Sequence, residues 1–291
     1  MKKRKIGIIG GSGLYKMEGF EKFKWIKVKT AWGVPSDEIL LATLGNEEIY
    51  FLPRHGRGHK INPSNINARA NIDSLKQFGV TDIISVSAVG SLKENLSPGT
   101  FVIVNQFIDR THARVKTFFD DEIVAHVSMA KPVCQSLVKS CEKALKKLDI
   151  PHHVNGTYIA IEGPQFSTLA ESNLYRSWGA DVIGMTNMPE AKLAREAEIR
   201  YCTVAMVTDY DCWHPDHDEV DVAMVVQTLA ENATNAQNMI KEVIKNFKNF
   251  SVDNDTTSNC LDAAIITNSE LRTKKTIKKL KYIAGRVLNK K

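Results

Sequence analysis

Short apolar runs that end in glycine-containing loops alternate along this chain with longer segments in which apolar residues recur at helical spacing. Strand-like runs cover residues 5–9, 49–52, 82–89, 100–108, 154–161 and 200–207. Helical spacing covers residues 65–78, 132–148, 169–178, 188–198 and 221–247. This alternation predicts an α/β sandwich around a mixed or largely parallel β-sheet. In such sheets ligands bind beyond the carboxyl ends of the strands, where the loops lie.

The composition is that of a globular protein, with 43% hydrophobic and 25% charged residues among 291. It excludes the disordered, collagen-like and disulfide-scaffold classes. The formal net charge is +6, but residues 270–291 hold nine Lys and Arg against one acid, so the remainder of the chain is close to neutral. A basic surface for an anionic partner is therefore confined to the C-terminus.

A polar stretch separates this basic C-terminus from the rest of the chain. We predict a catalytic domain over residues 1–250, a polar linker over 251–259 and a basic tail over 260–291 that is helical in part. Apolar residues recur at helical spacing among the lysines of the tail, a pattern that also suits an anionic membrane or a nucleic acid. A solvated or self-packed tail fits better beside an otherwise complete enzyme, so we expect neither partner.

The cysteines are Cys134, Cys141, Cys202, Cys212 and Cys260. They lack C-x-x-C or Cys/His ligand spacing, so neither a disulfide framework nor a zinc site is indicated. The apolar run near the N-terminus is too short for a signal peptide, and no stretch approaches the roughly 20 apolar residues that span a bilayer. We therefore expect a cytoplasmic protein.

The first glycine loop follows the first predicted strand. Residues 7–15 read GIIGGSGLY, and a Rossmann pattern started there fails at Lys16. A dinucleotide-binding oxidoreductase is therefore a weak alternative. The loop is instead suited to a single phosphate, with Ser12 as a donor, or it is a tight turn without a ligand.

The next two strand ends offer more groups for an anion. Residues 53–59 read PRHGRGH, and Arg54 and His55 favour an anion clamp over a solvated basic loop. The third strand end adds the Ser87 hydroxyl and the Ala88 N–H. Together the three loops predict a three-sided phosphate pocket. Its donors are Ser12, Arg54, His55, Ser87 and the Ala88 N–H.

Two later loops carry groups for a sugar and a base. Phe166 follows Gly163-Pro164 after a strand and could stack on a planar base, although an aromatic residue is more often part of a core. Thr186 could donate to phosphate, and Met185 could pack against an apolar sugar face.

Asp209 and Asp211 end the last predicted strand. Two carboxylates suggest a metal, but no histidine or third acid lies in matching register, so no metal site is expected. Purine recognition fits better, because an ionised Asp accepts from an exocyclic amino group and a protonated one gives a proton to a ring nitrogen.

Residues 6–213 contain, in order, the motifs GIIGGSGLY, PRHGRGHKINPSNINARANI, SAVGSL, NQFIDRT, IEGPQFST, GMTNMPEAKLARE and TDYDCW. This set resembles the S-methyl-5′-thioadenosine phosphorylases of the purine nucleoside phosphorylase superfamily. The resemblance implies a phosphorylase/hydrolase-like three-layer sandwich around a mixed β-sheet, assembled as a homotrimer or hexamer. It also implies a salvage reaction in which inorganic phosphate, as co-substrate, displaces adenine and forms 5-methylthioribose 1-phosphate. Neither a metal nor an organic cofactor is expected.

The resemblance also implies roles for individual residues. The phosphate-binding residues are Ser12, Arg54, His55, Ser87, Ala88 and Thr186. The nucleoside-binding residues are Phe166, Ser167, Met185, Asp209, Asp211, His126 and Val225. Asp209 and Asp211 are the implied catalytic pair. His126 is implied to cross a subunit interface and cover the 5′-methylthio group, against an apolar wall that includes Val225.

One motif leaves the substrate open. GMTNMPEAKLARE also resembles bacterial relatives that act on methylthioinosine, and those relatives lack the Asp-Tyr-Asp sequence. Because Asp209-Tyr210-Asp211 is intact here, methylthioadenosine is the favoured substrate. A broader purine nucleoside or methylthioinosine phosphorylase is the alternative.

Overall fold

The computed structural model describes residues 4–11, 13–14, 19–215, 222–247, 252 and 255–289, and for residues 222–227 it describes the backbone alone. The described residues form one sheet of nine strands. The strands are β1 (Ile6–Gly10), β2 (Glu21–Ile26), β3 (Ile39–Leu44), β4 (Glu47–Pro53), β5 (Asp82–Ser91), β6 (Phe101–Asp109), β7 (His152–Ala160), β8 (Val182–Gly184) and β9 (Arg200–Asp209).

The strand order is β2-β3-β4-β1-β5-β8-β7-β6-β9, and β9 also pairs with β5. The strands β5, β8, β7, β6 and β9 therefore close into a ring, which β1 to β4 extend from β5. The β1 strand is parallel to β4 and β5, and β5 is parallel to β9. The pairs β5–β8 and β6–β9 are antiparallel, so the sheet is mixed. Register sets Gly10 beside Pro53, which brings the first two glycine loops together.

Helices cover both faces of the sheet, which confirms the predicted α/β sandwich. The helices are α1 (Ala68–Gln77), α2 (Gln135–Lys147), α3 (Leu169–Ser177), α4 (Asn187–Glu196), α5 (Val222–Asn246), α6 (Lys274–Lys279) and α7 (Lys281–Leu288). One face carries α1, α4 and α7, and the other carries α2 and α5. Within the ranges given above, every helix is too short or too polar to span a bilayer.

Two large apolar cores lie on either side of the sheet. Successive residues of β1 alternate between them, with Ile9 in the core that contains Leu75 of α1, and Ile8 in the core that contains Ile240 of α5. This alternation is the two-residue period of a strand that is buried on both faces.

The sequence pattern did not predict β2, β3 and β8. The β2 strand lies at an edge and its first four residues are exposed, so no apolar alternation marks it. The β8 strand has three residues, too few for a period. The β3 strand is a short apolar run, which periodicity cannot assign to a strand or a helix. The other predicted strands and helices are confirmed, although some of their ends differ from the predicted positions. For example, the helix predicted from residue 65 starts at Ala68, because Pro63–Asn65 forms a 3-10 turn.

The C-terminal tail packs into the body of the protein. Leu261, Leu280 and Ile283 are buried in the same core as α1 and α4. The Arg286 guanidinium donates to both carboxylate oxygens of Glu198, at 2.7 and 2.5 Å. This differs from the expected solvated or self-packed tail, because the apolar stripe of α7 covers an apolar surface that α1 leaves open. The boundaries at residues 250 and 259 stay a prediction.

Candidate active site

Arg54 places a buried guanidinium at the carboxyl end of β4. Its backbone N–H donates to the Gly10 carbonyl at 2.9 Å, next to the first glycine loop. Its Nε and Nη2 donate to the two Glu190 carboxylate oxygens at 2.9 and 3.2 Å. Nη2 also donates to Ser85 Oγ at 2.6 Å, and Nη1 donates to the Val86 carbonyl at 3.0 Å. Among the described residues, one Nη1 hydrogen thus stays available to a ligand, while the others tie β4 to β5 and α4.

His55 follows Arg54, and one of its ring nitrogens already has a partner within the chain. Its Nδ1 lies 2.8 Å from the Ile61 carbonyl oxygen, and its ring stacks on His59 with centroids 4.1 Å apart. Burial lowers the pKa of His55 to about 4, and the Arg54 charge acts in the same direction. His55 is therefore neutral near pH 7, with its hydrogen on Nδ1 because a carbonyl only accepts. Nε2 is left as an acceptor, so the predicted donor can take a hydrogen from a protonated phosphate oxygen but cannot donate to a bare one.

Ser87 and Thr186 meet where β5 approaches the start of α4. The Ser87 hydroxyl donates to Asn187 Oδ1 at 3.1 Å, and the Thr186 N–H donates to the Tyr158 hydroxyl at 3.4 Å. The Thr186 hydroxyl itself is buried and has no partner of normal hydrogen-bond geometry in the described part of the chain. An unpaired buried hydroxyl costs about 1–3 kcal/mol, so this group is available for a further hydrogen bond.

Asp209 is the last residue of β9, and it is only 6% exposed. Its Oδ2 accepts from the Thr208 hydroxyl at 2.7 Å, and its Oδ1 accepts from the Asp211 N–H at 2.8 Å. Burial raises the pKa of Asp209 against these hydrogen bonds, and the Asp211 charge adds to the rise. A Cβ at Gly90 would lie 2.8 Å from Asp209 Oδ1, so β5 needs glycine beside it. The raised pKa brings the carboxyl closer to the range in which it can share a proton with a base.

Ser167 joins the loop after β7 to the end of β9. Its hydroxyl lies 3.0 and 2.8 Å from the two Asp211 carboxylate oxygens, to which it donates. The neighbouring Phe166 is 48% exposed, so its ring is accessible to a planar ligand. The structure thus brings Phe166, Ser167 and Asp211 to one place.

Met185 packs against the same loop. Gly163 has a φ of +65°, and a Cβ there would lie 2.4 Å from Met185 Sδ. Glycine is required both by this backbone conformation and by the space that Met185 fills. Met185 therefore occupies a fixed position between the loop and the start of α4.

Arg114 is a site residue that the sequence analysis missed. Its side chain is 5% exposed and donates to Glu162 Oε1 at 3.1 Å and to the Glu162 carbonyl at 2.5 Å. Its Nη1 donates to the carbonyls of Met188, at 2.7 Å, and of Met185. Arg114 therefore holds the loop after β7 against the loop that carries Met185. It lies in an irregular segment without periodicity, so no pattern marked it.

Glu162 is the second missed residue. Besides Arg114, its carboxylate accepts from the Ser64 hydroxyl and from the backbone N–H groups of His112, at 2.6 Å, and Ala113, at 3.2 Å. Burial by itself would raise the pKa of Glu162, but these hydrogen bonds hold it at about 2. Glu162 is therefore ionised near pH 7, and its hydrogen bonds hold three loops together. Glu162 could have been identified from its position at a strand end, inside the IEGPQFST motif.

Residues 5–245 match the model of the phosphorylase superfamily. The chain belongs to this superfamily. An S-methyl-5′-thioadenosine phosphorylase from Rhodospirillum rubrum is 58% identical over 284 residues, which cover 97% of each chain. The crystal structure of a methylthioadenosine phosphorylase sourced from an antarctic soil metagenomic library is 46% identical, covering 97% of this chain and 99% of that one, with a TM-score of 0.92. A Schistosoma mansoni methylthioadenosine phosphorylase in complex with adenine is 33% identical, covering 90% of this chain and 99% of that one, with a TM-score of 0.85.

Not every predicted site residue of this phosphorylase can be placed. Ser12 and the side chain of Val225 lie outside the described residues. Ala88 lies on β5 opposite Met206 of β9. His126 is exposed, and its backbone N–H donates to the Ala264 carbonyl at 2.9 Å, within the tail. In the described part of this single chain, no hydrogen bond joins His126 to the phosphate and base loops.

Proposed function

We propose that this phosphorylase cleaves S-methyl-5′-thioadenosine with inorganic phosphate and releases adenine and 5-methylthioribose 1-phosphate. The observation that carries the proposal is the buried Asp209, with its raised pKa, at the end of β9 and opposite Gly90 of β5, the strand that also carries Ser87 and Ala88. Adjacent parallel strands thus present a group for a base next to groups for phosphate. The relatives of that name, at up to 58% identity over nearly the whole chain, support this substrate.

Phosphate would be bound at the meeting point of the first three loops and α4. The free Nη1 hydrogen of Arg54 and the hydroxyl of Thr186 would donate to it. His55 Nε2 would accept a hydrogen bond from the monohydrogen phosphate ion, which increases the negative charge on the phosphate oxygens. We propose that Ser12, Ser87 and the Ala88 N–H complete this set.

The reaction would then proceed as a substitution at the anomeric carbon. A phosphate oxygen forms the new C–O bond as the bond to the base nitrogen breaks, and phosphate charge stabilises the cation-like sugar between them. Asp209 donates a proton to the five-membered ring as the base leaves with the bonding electrons. Met185 would pack under the ribose, with Phe166 and Ser167 near the base.

We further propose that the enzyme acts as a homotrimer or hexamer in the cytoplasm, without a metal or an organic cofactor. His126 would cover the 5′-methylthio group bound by a second copy of the chain, with Val225 in the apolar wall of that pocket. Its exposure on one copy supports this assignment.

The function is tested by offering S-methyl-5′-thioadenosine, methylthioinosine, adenosine and inosine side by side, with and without phosphate. We expect phosphate-dependent release of adenine, fastest from S-methyl-5′-thioadenosine, as measured by chromatography of the free base. Faster release of hypoxanthine would favour the methylthioinosine alternative. Release without phosphate would make the protein a hydrolase.

Thr186→Val tests the phosphate site. Loss of one hydrogen bond to a charged ligand costs about 1.5–3 kcal/mol, so we expect the KM for phosphate to rise about 10–100-fold. The KM for the nucleoside should change much less in initial-rate measurements. Thr186→Ser keeps the hydroxyl and serves as the matched control. An equal rise for both substrates would contradict the assignment.

A further inference from the structure

The C-terminal tail is hydrogen-bonded to the segment that carries His126. Ala125 and Ile265 form an antiparallel bridge, and the His126 N–H donates to the Ala264 carbonyl at 2.9 Å. From the tail, the Ile266 N–H donates to the Val124 carbonyl at 3.0 Å. These contacts fix the backbone on both sides of residue 125, while the His126 side chain stays exposed.

Side chains of the tail strengthen this pairing. The Thr267 hydroxyl oxygen accepts from the Val124 N–H at 2.8 Å. Glu122, whose φ is +61°, accepts from the hydroxyls of Thr276, at 2.6 Å, and Thr273, at the N-terminus of α6. The left-handed backbone at Glu122 is therefore tied to the first turn of a tail helix.

The other side of the segment is equally fixed. Phe118 and Ile123 are fully buried in the core that also contains Leu280 and Ile283 of the tail. Farther back, the Phe118 N–H donates to Glu196 of α4 at 2.7 Å. The segment from Phe118 to His126 therefore lies between α4 and the tail, both of which shape it.

We propose that the tail is a positioning element, which holds the backbone of residues 122–126 so that His126 is presented to the 5′-group of a nucleoside bound by a second copy of the chain. This inference rests on the proposed function. It assigns a role in substrate recognition to residues 264–276, which lie beyond the part of the chain that matches the superfamily model. A fixed backbone with an exposed ring lowers the entropy lost when the ring closes over its ligand.

The test uses Ile266 in the full chain. Ile266 is 64% exposed, so its side chain contributes little burial, and proline there removes the N–H that donates to Val124. Ile266→Ala removes the same side chain but keeps the N–H. We expect Ile266→Pro to raise the KM for S-methyl-5′-thioadenosine about 3–10-fold, as for one lost hydrogen bond. Ile266→Ala should leave it unchanged, and the KM for phosphate should be the same in both variants.

A double-mutant cycle separates positioning from general destabilisation. If the tail acts through His126, Ile266→Pro should have no further effect on the KM for S-methyl-5′-thioadenosine in a His126→Ala background. Adenosine, which lacks the methylthio group, should be less sensitive to either substitution. Effects of the two substitutions that multiply, or an Ile266→Pro variant that matches Ile266→Ala, would overturn the proposal.

A variant that does not fold is replaced by a milder one. Thr267→Val removes the acceptor of the Val124 N–H, and Thr267→Ser is its control. A wild-type enzyme that releases no adenine refutes the proposed function before any variant is compared. An active wild-type enzyme in which His126→Ala raises the nucleoside KM, but neither tail variant does, refutes the positioning role alone.

Discussion

Asp209→Asn is expected to lower kcat for S-methyl-5′-thioadenosine phosphorolysis about 10²–10⁴-fold, the range typical of a lost general acid. Asparagine has nearly the same shape, but it cannot give up a proton to the leaving base. The structure makes the wild-type carboxyl suited to the task, because burial raises its pKa. Steady-state kinetics at saturating phosphate measures the effect.

The same substitution should also change the preferred base. An ionised Asp only accepts hydrogen bonds, whereas the Asn amide also donates to the carbonyl oxygen of a 6-oxopurine. We therefore expect the ratio of kcat/KM for inosine over adenosine to rise. Asp211→Asn is the matched comparison, because its amide oxygen can still accept from Ser167. An unchanged preference for adenine in Asp209→Asn would refute the role of Asp209 in recognising the base.

Arg54→Met is expected to destabilise the fold by about 3–5 kcal/mol, because it leaves the Glu190 charge buried without its partner. Both residues are almost fully buried, at 2% and 3% exposure, and they form a bidentate pair. The Ser85 and Tyr201 hydroxyls, at 2.6 and 2.7 Å, continue to donate to Glu190, but they cannot neutralise it. Denaturant unfolding at pH 7, followed by circular dichroism, gives the loss of free energy.

The double variant Arg54→Met with Glu190→Leu is the control. It removes both charges and should recover part of the stability, although Ser85 and Tyr201 then lose their acceptor. Phosphate affinity should stay low, because the free Nη1 hydrogen is still missing. A single variant as stable as the wild type would mean that the pair contributes nothing to the stability of the fold.

Local patterns predicted much of the fold. A β-branched run before a glycine loop predicts the strand that ends at Gly10, helical spacing predicts the helix over Gln135–Lys147, and both are present. The three-residue β8 and the exposed edge strand β2 carry no such period. The helical period of the tail was also visible, but periodicity describes one face of a helix and does not identify the surface that it covers.

In the candidate site, too, local patterns predicted some features and not others. Loops at strand ends could be identified from their glycines and polar groups. The hydrogen-bond partners and the protonation of each group could not be predicted, because they depend on residues far apart in the chain. Arg54 donates two of its hydrogens to Glu190, which is 136 positions away, and Glu162 is held by Arg114, 48 positions away. Nε2 of His55 is left as an acceptor because Nδ1 donates a hydrogen bond to the Ile61 carbonyl.

The closed ring of strands affects how copies of this protein can associate through their sheets. Every described strand except β2 pairs with two others over at least part of its length, so β2 is the one terminal strand of the described sheet. That edge carries Glu21, Lys22 and Lys24, and such charges discourage pairing with another strand. Growth of a fibril by edge-to-edge addition needs two open edges on every unit. Pairing of β2 with the β2 strand of a second copy would leave neither of the two described sheets with a terminal strand for a third copy.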